Sequence, residues 1–331
     1  KAKLKKVQYS DLPAWKSDSA TNALFSFSRS CELVQKNKYV NPSDIYINTN
    51  ELKSICNKLP NNIAKTSNED SRKFFEKYFN PYLVMDEKGS SKGLFTGYYQ
   101  PYLHGSKTKT AKFDTPIYGK PKDLGSGKYH TRKEIEAGIL AGKAPVLYWT
   151  EHHELFHLQV QGSGILILPD GKKVALGYAG NNGHIFKGAG TILMGKGIKP
   201  DGGYAAGAVK DWCGQNKELS KKYLSENDRY IFFQENSSLD PIGSQGVPLT
   251  AQRSLAVDMS YIPIGLPLFL TTNVSNSKFN KLVIAQDTGV KITGAIRGDI
   301  YFGTGEQALK HAGTLKSQGS YYILLPKGTK Y

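Results

Sequence analysis

The chain has 331 residues, 39% hydrophobic and 22% charged, which excludes a disordered or fibrous polymer and leaves room for two domains or one large one. Its net charge of +16 implies an anionic partner. The lysines are spread along the chain with no nucleic-acid motif, so an acidic polysaccharide or a membrane surface fits better than nucleic acid.

Tyrosine is used 20 times, tryptophan 3 times and glycine 34 times, a mix that favours β-rich architecture with many turns and wet aromatic surfaces. Residues 1–80 nevertheless read as helical. Leu24, Phe27, Cys31 and Val34 follow the three-four spacing of a helix face, and Leu52, Ile55, Cys56 and Leu59 repeat it behind Thr49 and Asn50, either of which suits a cap. Ser67 with Asp70 resembles a capping box, and Phe74, Phe75, Tyr78 and Phe79 supply a buried stripe. Cys31 and Cys56 each fall on an apolar helix face, so buried thiols are expected rather than a bridge or metal ligands. No signal-peptide pattern opens the chain at Lys1.

From Tyr82 the period changes to two. Thr96, Tyr98, Gln100 and Tyr102 share one strand face, and a tyrosine offers a sugar both a ring and a hydroxyl. An ordinary exposed strand edge explains that face equally well. Residues 114–121 form a loop, Thr131 and Glu134 open a short helix to about Leu140, and residues 146–150 form a strand. Phe156, Leu158 and Val160 alternate with His157, Gln159 and Gln161, predicting a strand with a polar, amide-bearing face suited to sugar. A hairpin follows, 165–168 and 174–178, turning at Asp170-Gly171. Residues 177–184 (GYAGNNGH) are a glycine-rich loop before a short helix ending near Gly195; two helices occupy 204–226 and a strand 230–233.

Thereafter β character dominates. An apolar run ends at Asp258, and a strand begins at Pro267. The longest apolar run, 261–270, contains Pro263 and Pro267 and is too short to span a bilayer. The stretch 282–303 reads LVIAQDTGVKITGAIRGDIYFG. Asp287 closes one apolar strand and Asp299 opens another, and a carboxylate so placed is unfavourable unless paired or protonated. Two of them among glycines suggest acid–base chemistry; the plain alternative is that both cap turns. A helix near 306–311 stops at Gly313, and residues 321–325 form the last strand.

Three motifs compete. His153-Glu154-Leu155-Phe156-His157 matches the zinc-peptidase pattern, but that chemistry needs a helix, and on the strand read here Glu154 points away from both histidines. Asp287-Thr288-Gly289 matches an aspartic-protease turn, but no second such turn exists to share the proton. The third is a resemblance. Arg253-Ser254-Leu255-Ala256-Val257-Asp258, Asp287-Thr288-Gly289 and Arg297-Gly298-Asp299-Ile300-Tyr301-Phe302-Gly303 resemble the three-aspartate domain of the membrane-bound lytic murein transglycosylase A family. The likeness extends, in matching order, to Phe95-Thr96-Gly97-Tyr98-Tyr99, Thr115-Pro116-Ile117-Tyr118, Gln161-Gly162-Ser163-Gly164 and the 177–184 stretch. It covers about 95–325, and residues 1–80 carry no matching motif. One departure stands out: where the family has Gly-Gly-Ala-Ile-Lys-Gly, Gly289 is followed here by Val290-Lys291-Ile292-Thr293-Gly294.

The resemblance implies a mainly β fold with peripheral helices: a double-psi β-barrel domain from 1–100 and 233–331, a smaller β-barrel domain inserted at 101–232, and a groove between them for a glycan strand. It implies non-hydrolytic cleavage of the β-1,4 bond between N-acetylmuramic acid and N-acetylglucosamine, leaving a 1,6-anhydro end. Asp299 is then the single acid–base, held protonated near neutral pH by burial among Ile300 and Phe302 or by Asp287. Asp287, Asp258 and Thr96 are implied to support it, with Arg253 or Arg297 as carboxylate partners, and Tyr98, Tyr99, Gln161, Ser163, Tyr178 and Asn182 to contact substrate. No metal or cofactor is implied. The expected partners are peptidoglycan strands and other wall enzymes, for a monomer at the periplasmic face of the outer membrane. The family's lipid tether needs an N-terminal cysteine, which is not among the first residues here. The alternatives are a non-catalytic wall-glycan-binding module and, further off, a zinc peptidase.

Overall fold

The computed structural model describes residues 1–331. In chain order the elements are β1 (Lys3–Lys6), α1 (Ala20–Gln35), α2 (Thr49–Cys56), α3 (Asn68–Tyr78), β2 (Phe79–Met85), β3 (Gly93–Gln100), β4 (Tyr102–Ser106), β5 (Thr115–Tyr118), α4 (Arg132–Glu136), β6 (Val146–Thr150), α5 (His152–Gln161), β7 (Ser163–Ile167) and β8 (Lys173–Asn181). There follow α6 (Ala189–Gly195), α7 (Ala206–Gln215), α8 (Lys217–Leu224), β9 (Ile231–Asn236), β10 (Ser254–Ala256), β11 (Pro267–Val274), β12 (Ser277–Asp287), β13 (Arg297–Thr304), α9 (Glu306–Ala312) and β14 (Lys316–Pro326). The chain divides into two compact units: Lys1–Tyr98 with Ile242–Gly303 and Leu315–Tyr331, and Tyr99–Pro241 with Thr304–Thr314.

In the first unit the strand order is β1-β2-β14-β11-β12-β10-β13-β3, and β14 also pairs with β3, so six strands close into a ring. Within it β10 runs parallel to β12 and antiparallel to β13. Closure removes free edges, and the interior fills with Phe95, Leu255, Leu268, Val283, Ile300, Tyr321 and Ile323, all buried. On the outside α1 packs against β12, α2 and α3. Its Phe27 meets Phe74, Phe75 and Phe79 at centroid separations of 6.5, 6.0 and 5.7 Å, the aromatic stripe the sequence predicts. Truncating such a side chain typically costs about 3–5 kcal/mol.

Three local readings of this unit are corrected. Residues 1–80 are not wholly helical: β1 forms an edge strand whose register, Lys3↔Met85 to Lys6↔Tyr82, depends on a partner far away in sequence. Asn48, not Thr49 or Asn50, caps α2, accepting from the backbone N–H of Asn50 at 3.1 Å and Glu51 at 3.2 Å. Cys31 and Cys56 form a disulfide, with Cα atoms 5.3 Å apart, because the apolar faces of α1 and α2 that carry them pack against each other. Cys213 is a buried free thiol.

The second unit is a six-stranded sheet, β5-β6-β4-β7-β8-β9, whose end strands are tied by a bridge between Gly119 and Phe233. Leu103, Ile117, Tyr148, Leu166, Leu176, Phe232 and Phe233 form its core. A second cluster, including Phe156, Leu193, Val209 and Leu224, joins α5 to α6, α7 and α8. Three readings change here. Thr115–Tyr118, read as part of a loop, form β5 and pair antiparallel with β6. Residues 152–161 are a helix, not a strand: Leu155 to Gln159 are all buried, so an apolar stripe of helical period never forms. Gly177 to Asn181 continue β8 rather than starting a loop, with a bulge between Tyr178 and Gly180. No helix is long and apolar enough to cross a membrane. The architecture is the mainly β one with peripheral helices that the sequence led us to expect.

Candidate active site

The site grows from strand ends in the first unit. Leu282, Val283 and Ile284 are fully buried and fix β12 in the ring, which delivers Asp287 to its rim. Ala256 pairs with Asp287 on one side and with Asp299 on the other, so the two carboxyls stand on the strands that flank β10. Gly298 precedes Asp299 because a Cβ there would meet Leu255 Cδ1 at 2.8 Å and Phe95 Cδ1 at 3.0 Å. Thr96 and Tyr98, two apart on β3, present one face to these carboxyls.

The carboxyls differ in their partners. Asp287 accepts from Tyr98 Oη at 2.8 Å through Oδ2, and from the N–H groups of Ser244 and Thr288, both at 2.9 Å, through Oδ1. Burial raises its pKa while these donors oppose the rise. Asp299 accepts from Thr96 Oγ1 at 3.0 Å through Oδ1. Burial pushes its carboxyl up to about 7, against the Thr96 hydrogen bond and the Arg297 charge and with help from the Asp287 charge. The side chain keeps a partly accessible surface, so it is enclosed without being sealed.

Arg297 Nη1 donates to Thr96 Oγ1 at 2.9 Å and to Gly298 O at 2.7 Å. Because the guanidinium occupies a lone pair of Thr96, the hydroxyl hydrogen is directed at Asp299 Oδ1. A proton carried by Asp299 therefore resides on Oδ2. Tyr98, whose ring lies 5.4 Å from that of Tyr301, has its pKa held well above 10 by burial and then by the Asp287 and Asp299 charges. It stays a donor to Asp287.

Behind Asp287, Gln286 is buried in a polar network. Its Oε1 accepts from Ser26 at 3.0 Å and Ser254 at 2.5 Å, and its Nε2 donates to Ser26 O at 2.8 Å and Ser30 Oγ at 2.9 Å. Helix α1 is thereby docked on β12 one residue from the carboxylate. Arg253 takes no part in the site: it pairs bidentately with Asp18 at 3.0 and 2.8 Å, so of the two arginines considered only Arg297 reaches the carboxyl cluster. Asp258 stands apart as well. It accepts from Ser260 N, Ser260 Oγ and Gly294 N, and although burial opposes them these bonds lower its pKa. That is the bonding of a turn anchor.

The remaining candidates lie in the second unit. Tyr99 is buried and its hydroxyl lies 2.6 Å from His157 Nε2, while its N–H donates to Gln161 Oε1 at 3.1 Å. Ser163 opens β7 opposite Gly177. Tyr178 is 48% exposed. Asn182 is buried, donating to His130 O and Asp228 O and accepting from Tyr230 N, which leaves it nothing to offer a ligand. Gln159 likewise binds the buried Arg132 at 2.5 Å and Ile231 O at 3.1 Å. The amide face read as sugar-suited is thus internal structure.

The helical form of α5 restores the geometry on which the zinc reading depended. The side chains do not follow it. Burial, then the Lys210 and His153 charges, depress His157 to about 3, and its Nε2 faces Tyr99. No group of three or more His, Cys, Asp or Glu side chains is arranged to hold a metal ion. Ser244 and the Arg297–Thr96 contact escaped the sequence reading; only the adjacency of Arg297 to Gly298-Asp299 pointed to either.

Residues 94–234 match the family model described as MltA specific insert domain, and residues 253–325 match the 3D domain model. The chain is 31% identical over 315 residues to the membrane-bound lytic murein transglycosylase A homolog of Buchnera aphidicola, an alignment covering 87% of this chain and 84% of the relative. It is 33% identical over 242 residues to membrane-bound lytic murein transglycosylase A of Escherichia coli K12, where 70% of this chain aligns with 65% of the relative, just short of two thirds of its length. The crystal structure of MltA from Neisseria gonorrhoeae superposes with a TM-score of 0.85 at 31% identity, covering 99% of this chain and 94% of that one.

Proposed function

Because the chain belongs to the membrane-bound lytic murein transglycosylase A family, we propose that it cleaves the glycan strand of peptidoglycan as a lytic transglycosylase, with Asp299 as the only acid–base group. The observation that carries this reading is the enclosed Asp299 carboxyl, which accepts from Thr96 through Oδ1 and which burial pushes up to about 7, leaving Oδ2 to carry the proton. Asp287, bound by three donors, serves as the fixed negative charge beside it.

The bond cleaved is the β-1,4 linkage from N-acetylmuramic acid to N-acetylglucosamine. Asp299 Oδ2 gives its proton to the glycosidic oxygen as the bond from that oxygen to C1 breaks. The muramyl 6-hydroxyl oxygen then bonds to C1, and its proton passes to the Asp299 carboxylate, restoring the acid. One leaving sugar gains a hydrogen and the other closes a 1,6-anhydro ring, so no water is consumed. Ordinary glycosidases need two carboxylates at a set separation to manage water or a covalent intermediate. An internal nucleophile removes that need.

The +16 charge favours approach to the anionic wall. The Cys31–Cys56 bridge fits an oxidising compartment, which supports a periplasmic location. Mass analysis of products from purified sacculi tests the proposal. Muropeptides with 1,6-anhydro ends are expected; reducing ends, or retention on sacculi without product, would sink it, the latter in favour of a binding module.

A further inference from the structure

Helix α5 carries His153, His157 and Gln161 at a four-residue spacing, which stacks them on one face. All three line a cavity of about 170 Å³ within the second unit, between α5, α6 and α7. Phe156, Phe186, Tyr204, Val209 and Leu224 make its walls apolar, and Gly188, Gly190 and Ala206 leave the space unfilled. Val160, 44% exposed, lines it where it meets solvent.

Two polar groups on that face lack partners. Gln159, on the same helix, is bonded through both ends of its amide, but Gln161 is not. The Tyr99 N–H fixes Gln161 Oε1 at 3.1 Å, and no protein group accepts from its Nε2. His157 is nine-tenths buried and held neutral. The buried Tyr99 hydroxyl has no acceptor besides His157 Nε2, 2.6 Å away, so it donates there and the ring carries its hydrogen on Nδ1. No protein group accepts that hydrogen either. The charged lining groups, by contrast, are matched: Lys210 Nζ lies 3.4 Å from Glu154 Oε2, and His153 Nε2 lies 3.5 Å from Glu151 Oε2.

We propose that this cavity binds the acetamido group of an N-acetylated amino sugar, its carbonyl oxygen accepting from Gln161 Nε2 and His157 Nδ1 and its methyl group lying against the apolar walls. A carbonyl oxygen has two lone pairs for the two donors. A hydroxyl at the same sugar position leaves the apolar walls uncovered, and an ammonium has no lone pair to offer and enters a cavity that Lys210 also lines. An apolar cavity of roughly 150 Å³ holds one benzene molecule, so this one takes a single substituent and leaves the sugar ring outside. On the transglycosylase reading the group belongs to the glycan strand, and the cavity then selects N-acetylated over N-deacetylated wall. That identification rests on the transglycosylase reading; the acetamido site does not.

Calorimetric titration of the Asp299→Asn chain reads binding without turnover. The probes are N,N′,N″-triacetylchitotriose and cellotriose, which is equally uncharged and has hydroxyls in place of the acetamido groups. The first should bind saturably, at least about tenfold tighter than the second. Gln161→Glu keeps the acceptor for the Tyr99 N–H and removes the donor; Ala206→Met keeps every polar group and fills the space. Each should weaken triacetylchitotriose binding at least about threefold. A cooperative melt shows that a variant is folded, and if one fails to fold the other decides. No binding, equal binding of cellotriose, or full affinity in a folded variant overturns the proposal. Product release from sacculi is read separately on the parent: its absence overturns the transglycosylase reading and leaves the acetamido site standing.

Discussion

Asp287 and Asp299 are both in register with Ala256, one along the parallel pairing of β12 and the other along the antiparallel pairing of β13. This places two carboxyls on the two strands that flank β10 while giving them unequal company: three donors on Asp287 and Thr96 on Asp299. The donors favour the charged form of Asp287, and that charge, added to burial, keeps Asp299 protonated up to about 7. Acid strength in this site is set first by the burial of Asp299, and the Asp287 charge adds the smallest push.

Asp299→Asn should release no anhydro product from sacculi while still co-sedimenting with them. The same variant should change how stability varies with pH. The folded pKa of about 7 lies above the ordinary 3.8, so the folded state holds the extra proton and stability falls as pH rises between about 4 and 7. Asparagine removes that slope. Its melting temperature relative to the parent should climb from pH 5 to pH 7, by an amount equivalent to at most about 3 kcal/mol, and less because solvent reaches part of the carboxyl. A flat difference would mean that Asp299 titrates normally.

The alkaline limb of the activity profile gives a second test, because its neighbours push the Asp299 pKa in opposite directions. The Thr96 hydrogen bond and the Arg297 charge lower it, and the Asp287 charge raises it. The parent should lose kcat/KM above about pH 7. Thr96→Val and Arg297→Gln should move that limb to higher pH, and Asp287→Asn to lower pH. A purely structural role for these residues would lower activity without moving the limb.

Much of this was legible in the chain because the apolar runs 282–285 and 300–302 are bounded by Asp287 and Asp299, which announce themselves as carboxyls at strand mouths. What was hidden has a common cause. Helix α5 is buried from Leu155 to Gln159, which erases the helical period and leaves an accidental alternation. A cysteine on an apolar helix face looks the same whether it ends as a thiol or in a bridge, since only the packing of α1 on α2 decides. Ser26, Ser30 and Gln286 are unremarkable polar residues until long-range pairing brings them into one buried network.

His157 yields a prediction on both metal and pH. Chelator treatment should leave turnover unchanged, since the ring is bound to Tyr99 and no cluster of three His, Cys, Asp or Glu side chains is arranged to hold a metal ion. Its folded pKa of about 3 lies below the ordinary 6.5, so the unfolded chain takes up a proton that the folded one refuses. Stability from this group is complete above about pH 6.5 and is lost as pH falls towards 3, by about 2 kcal/mol at pH 5. His157→Gln should lower the melting temperature at pH 7 yet show a shallower decline from pH 6.5 to 5. Equal slopes in both proteins would count against a neutral buried histidine.

The Cys31–Cys56 bridge links stability to the site. It closes a loop of sequence separation 25, for which chain entropy alone gives about 3 kcal/mol. Helix α1, which it holds, also carries Ser26 and Ser30, the side chains that fix Gln286 beside Asp287. Reduction, or Cys31→Ser with Cys56→Ser, should therefore lower the melting temperature and reduce activity at temperatures below unfolding. Thiol titration of the denatured chain checks the premise directly: Cys213 alone should react before reduction, and Cys31 and Cys56 should join it afterwards. If all three react without reductant, the helix pair is held by packing alone.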